Sequence, residues 1–168
     1  SLVLGSGQII SGTQATSFSG RGSHTVTSNG KTFTQAINFD AGTGSYVLAD
    51  SCISNGALTI LSGTFDTANN SVTCLNVVAS GTLSKQIIAG TTTWSLTTTA
   101  TSTIWNLNAT GTTLSATNST IRIANTSANT RTVTGGGLTM DYGTVEYALA
   151  GSTGGLIIGP STIQTLKF

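Results

Sequence analysis

The chain has 168 residues, enough for one domain with a buried core. Charged residues make up 7% and the net charge is +1, against roughly 25% charged in an average soluble protein. The cations Arg21, Lys31, Lys85, Arg122, Arg131 and Lys167 are scattered singly, which argues against nucleic acid as a partner, and no apolar run is long enough for a membrane span.

The chain opens on "SLVLGSGQIISGT", already in a strand-like pattern, which reads as a piece of something longer or a processed product. From His24 to Phe39, "HTVTSNGKTFTQAINF" alternates apolar and polar positions. Then come "YVLAD", "ALTIL", "SVTCLNVV", "KQIIAG", "TWSL", "TIWNL", "TTLSA", "STIRIA", "TRTVT", "LTMDY", "TVEYAL", "GLIIG" and "TIQTLKF". Each is about four to seven residues long and closely followed by Gly, Asn, Ser or Thr, which predicts short strands. No window holds a helical period for more than a turn.

Three phrases share a plan of glycine, strand, polar turn and second strand. They are "GALTILSGTFDTANNSVTC", "GTLSKQIIAGTTTWSLTTT" and "GTTLSATNSTIRIANTSAN". Their starts lie roughly 25 to 30 residues apart, a spacing that marks solenoids. The expected fold is therefore all-β, a parallel β-helix-like solenoid of short stacked strands with almost no helix, in one domain over 1–168. Strand content should exceed about 40%, well above the usual share. Ile60, Leu75, Val77, Ile87, Leu96, Leu107, Ile121, Ile123 and Ile157 are expected to form inward ladders.

The run Gly135, Gly136, Gly137 invites a phosphate-loop reading. Such a loop needs a helix after the glycines, and "LTMDYGTVEYAL" follows instead, with no "GK[ST]". The three glycines are expected to form a structural corner, where φ > 0 or close backbone approach is needed.

The acids are Asp40, Asp50, Asp66, Asp141 and Glu146. A glycosidase needs two carboxyls about 5 to 9.5 Å apart, and Asp141 and Glu146, nearest in sequence, sit on either side of Gly143 in what read as separate strands. "FDAGTGS" holds one carboxylate, too few for calcium. His24 has no partners in motif spacing and is expected to face solvent. Neither a metal site nor a cofactor is expected, and no catalytic residue is assigned. Cys52 and Cys74 read as buried thiols packed as small hydrophobes, with a disulfide left open. Trp94, Trp105, Tyr142 and Tyr147 could contact a glycan; the competing reading puts the tryptophans in the coil core. Four sequons begin at Asn69, Asn108, Asn118 and Asn125, as chance allows in such a composition. Threonine-rich stretches raise ice binding, but Thr-x-Thr is not regularly spaced.

From Thr91 to Phe168 the chain resembles glycine- and threonine-rich β-helical virion proteins of tailed phages. The matching pieces are Trp94, Trp105, Asn106, Ser119 to Ile123, Arg131 to Val133, Gly135 to Gly137, and Ser161 to Leu166. "GGGLTMDYGTVEYAL" departs from the pattern, which has aromatic and Asn residues after its glycines. The resemblance implies a structural module of a fibre or spike, located in the virion and outside the cell; the five scattered acids and one histidine separately argue against catalysis. The resemblance also implies other virion proteins as partners and attachment to a host surface glycan, while the strand-like ends without charged caps predict a homo-oligomer, with a trimer favoured as in many phage fibres. The alternatives are a polysaccharide-cleaving tailspike fragment, a bacterial adhesin or an ice-binding solenoid.

Overall fold

The structure is a computed structural model; residues 1–98, 102–124, 129–135, 140–148, 155–159 and 161–168 are described. Seventeen strands run through the described residues, more than half of which are in strand, and none of which is in helix. Every strand pairing is parallel. The chain winds as a β-solenoid of about seven coils.

The strands are β1 (Leu2–Val3), β2 (Thr16–Ser19), β3 (Ser23–Thr27), β4 (Thr32–Phe33), β5 (Ile37–Leu48), β6 (Cys52–Ser54), β7 (Leu58–Asp66), β8 (Val72–Cys74) and β9 (Val77–Ala79). They continue as β10 (Lys85–Ile88), β11 (Thr93–Leu96), β12 (Ser102–Asn106), β13 (Thr112–Ile123), β14 (Arg131–Thr134), β15 (Met140–Tyr147), β16 (Leu156–Ile158) and β17 (Ser161–Lys167). Their pairings sort into three faces. Face one holds β2, the first part of β5 and of β7, β9, β12, β14 and β16. Face two holds β1, β3, the second part of β5 and of β7, β10 and the first parts of β13, β15 and β17. Face three holds β4, β6, β8, β11 and the later parts of β13, β15 and β17.

The expected limit of about seven residues per strand fails for β5 and β13, at 12 residues each, and for β7 and β15, at 9 and 8. These strands turn a corner without ending, through register shifts that act as bulges. Gly42 and Gly63, with φ of +61° and +72°, make the turn inside β5 and β7. Conversely, the alternating run from His24 to Phe39 is broken by a turn in which Asn29 and Gly30 have φ of 50° and 72°, a Type I′-like pair.

Inward positions stack into ladders because side chains alternate faces and each coil lies about 4.8 Å from the next. One face-one ladder runs Thr16, Ile37, Leu58, Val77, Trp105, Val133, Ile158 through seven rungs. Face two stacks His24, Tyr46, Phe65, Ile87 and Leu114. Face three stacks Cys52, Val72, Trp94, Ile121, Val145 and Leu166. Of the expected ladder residues, Ile60, Val77, Ile87, Leu96, Leu107, Ile121 and Ile123 are buried. Leu75 and Ile157 are not, at 36% and 55% exposed. Leu75 follows β8 at the corner between faces three and one. Ile157 lies between Leu156 and Ile158, which pair with Arg131 and Val133, so alternation sends it outward.

The repeat phrases do not mark the coils. Gly56 precedes a face-one strand, whereas Gly81 and Gly111 precede face-two strands. Register follows the inward apolar positions, because a slip of one residue would turn a whole ladder outward.

Candidate functional sites

The aromatic residues other than the exposed Phe168 line the interior. Trp94, Trp105 and Tyr142 are fully buried and Tyr147 nearly so. Phe18, Phe39, Phe65, Trp94, Trp105 and Tyr142 form a chain of ring contacts with centroids 4.6 to 6.2 Å apart. The glycan-contacting reading of Trp94, Trp105, Tyr142 and Tyr147 is therefore corrected. Each occupies an inward position of its strand, where a sugar face cannot reach it.

His24 does not face solvent as expected. It is half-buried, stacks on Tyr46 with centroids 5.2 Å apart, and continues the face-two inward ladder. Its Nδ1 lies 3.4 Å from the Ser1 amino group. With Leu2, Ser17, Phe18, Ser19, Val26 and Tyr46 it lines a cavity of about 330 Å³ at the first coil. Burial raises the Tyr46 pKa, helped by the negative charge of Asp40.

The acids serve the turns and the surface. Asp50 accepts from the backbone N–H of Ser28 at 2.7 Å and of Asn29 at 2.6 Å. Asp66 accepts from the Ala68 N–H at 2.8 Å. Asp40 accepts from the Ser62 hydroxyl. Asp141 and Glu146 share one strand, β15, rather than two, but the corner at Gly143 divides it between faces two and three. Glu146 is paired with Arg122 at 3.2 Å. Among the described residues no group of three or more His, Cys, Asp and Glu side chains is placed to hold a metal.

Thr93, Thr120, Thr144 and Thr165, unevenly spaced in sequence, fall in one column on face three. The next outward column is Ser95, Arg122, Glu146, Lys167, so charges interrupt any flat Thr-x-Thr array. Of the glycine run, Gly135 is buried directly after β14, and Gly136 and Gly137 lie outside the described residues, as does the sequon at Asn125.

Cys52 and Cys74 are free and buried on the inward side of face three. They occupy diagonal rather than opposed positions, since Cys52 pairs with Val72 and Leu96 with Cys74. Diagonal neighbours lie about 7–8 Å apart, at or beyond the reach of a disulfide. Burial pushes the Cys52 thiol up to about 12, with Asp50 adding to it, and burial raises Cys74 further.

Lys85 was not singled out from sequence, and with Arg131 it is one of two buried cations among the described residues. It is 2% exposed. Its Nζ donates to the carbonyls of Leu83 at 2.6 Å, Gly81 at 3.1 Å and Thr110 at 3.1 Å. The signal in "KQII" is the alternation itself, which puts Lys85 and Ile87 on the same inward side. Beside it, Gly42, Gly63 and Gly111, all at positive φ, line a shallow corner groove with Thr64, Gln86 and Thr113.

No protein-family model, no curated protein and no solved structure matches this chain.

Proposed function

We propose that the chain is a structural module of a phage virion, a stiff β-solenoid segment of an extracellular fibre or spike. Its partners are other virion proteins and further copies of itself, with a trimer favoured. The observation that carries the reading is the seven-rung ladder from Thr16 to Ile158, beneath outward columns that are mostly Ser, Thr and Asn, with Val78 and Ile157 among them. Such a ladder puts a hydrogen bond across every coil boundary and leaves few loops for a protease, which is what a load-bearing rod needs. The resemblance from Thr91 to Phe168 supplies the virion setting. Any attachment to a host glycan falls to the hydroxyl and amide columns, because the tryptophan and tyrosine rings are inside.

Proteomics of purified particles, with antibody labelling under the electron microscope, tests this. The protein should be present and its antibody should decorate a fibre or spike. Its absence from particles would reject the virion role. Release of reducing sugars from host polysaccharide would instead favour the polysaccharide-cleaving alternative.

A further inference from the structure

We propose that the corner formed by Gly81, Leu83 and Thr110 is a binding site for a primary ammonium ion, which the chain fills with its own Lys85. Three carbonyls converge on one nitrogen at 2.6, 3.1 and 3.1 Å. An alkylammonium has three N–H donors and no acceptor, so three carbonyls satisfy it completely. Removal from water lowers the Lys85 pKa, and among the described residues its hydrogen-bond partners are carbonyls, not carboxylates. The charge is thus held by carbonyl dipoles alone.

The placement gives this site a purpose. Lys85 pairs with Gly63 on one side and with Thr112 on the other. Gly81 and Leu83 belong to the turn that leads into β10, and Thr110 to the turn that leads into β13. One nitrogen therefore ties two successive corners together. It does so beside Gly63 and Gly111, where positive φ leaves the chain without side chains to pack. The Lys85 backbone adds to the tie, its N–H donating to the Gly111 carbonyl at 2.9 Å. With Lys85 cut back, the three carbonyls would still face one point, each without the donor that now satisfies it.

The test is chemical rescue of the full chain. Lys85→Ala removes three carbons and the nitrogen, the outline of n-propylammonium. The expected Tm loss is roughly 5–10 °C, a large single-site effect for a chain of this size. Added n-propylammonium chloride should restore at least half of that loss. Tetramethylammonium chloride at the same concentration should not, because it has charge but no N–H donor. Lys85→Met, which keeps most of the stem without the charge, should fall nearly as far as Lys85→Ala. A Lys85→Met protein as stable as the original, or equal rescue by the two salts, would overturn the proposal. If Lys85→Ala does not fold, its refolding yield in each salt gives the same decision: a yield raised only by n-propylammonium supports the site, and equal yields reject it.

Discussion

Gly63 and Gly30 have the same φ, +72°, yet a side chain would meet different surroundings at each. At Gly30 nothing lies within 4 Å of an added Cβ. At Gly63 an added Cβ would lie 2.6 Å from the Ala41 Cβ and 2.7 Å from the Gly44 carbonyl oxygen. Gly30→Ala should thus cost only the left-handed backbone strain, about 1–2 kcal/mol. Gly63→Ala should cost more than about 3 kcal/mol, because backbone must move as well. Urea unfolding of the two variants checks this, and equal losses would show that the coils yield at this corner. The thiols give a second residue-scale prediction. Unfolded, each ionises near 9.0; folded, Cys52 holds its proton to about 12 and Cys74 is raised further. A raised thiol pKa means that the unfolded state sheds protons first. The stabilisation is complete below pH 9 and is lost as pH climbs toward 12. The expected slope is about 1.4 kcal/mol per pH unit for each thiol. Stability of the original and of Cys52→Ala/Cys74→Ala, measured between pH 8 and 11, should show a shallower fall in the variant. The burial that raises Tyr142 acts in the same direction, and Lys85, whose pKa is lowered, acts in the opposite one.

At the scale of the strand, the inward and outward sides contribute unequally. Trp94 on β11 packs edge-on to Trp105, with ring centroids 5.1 Å apart, and is fully buried. Trp94→Ala should cost about 3–5 kcal/mol. On the outward side of the same face, Arg122 and Glu146 form an exposed pair on adjacent rungs, with Lys167 beyond them. Breaking it by Glu146→Gln should cost less than about 1 kcal/mol, and the difference should shrink in high salt. A double-mutant cycle on Arg122 and Glu146 measures the pair itself. A large, salt-insensitive coupling would mean that the outward columns hold the register as firmly as the core does.

At the scale of the whole molecule, each coil rests only on its neighbours, so stability should fall toward coils with one neighbour. Strand β7 is flanked by β5 on one side and by β9 and β10 on the other, while β17 pairs with β15 alone among the described residues. Amide hydrogen exchange in β7 should be at least tenfold slower than in β17, since opening β7 breaks pairings on both sides. Uniform exchange across the chain would indicate a single cooperative unit instead.

The sequence by itself determined the class of fold. Strict alternation in stretches such as "KQIIAG" and "TWSL" can bury one side only as strand, and frequent glycine and asparagine ended those strands early. It also marked both cysteines and most of the core, because burial follows from parity within a strand. Only the tertiary structure decided how the strands stack. Coil length varies, and strands that turn corners, such as β5, β7, β13 and β15, carry register shifts or glycines that no local pattern announces. That uneven winding put the four threonines from Thr93 to Thr165 in one column and turned Ile157 outward. It also made a buried clasp of Lys85, whose three carbonyl partners come from two turns that are distant in sequence. The physical reason is that parity is a property of one strand, whereas register and corner contacts are set between coils, where the packing of the whole interior is settled at once.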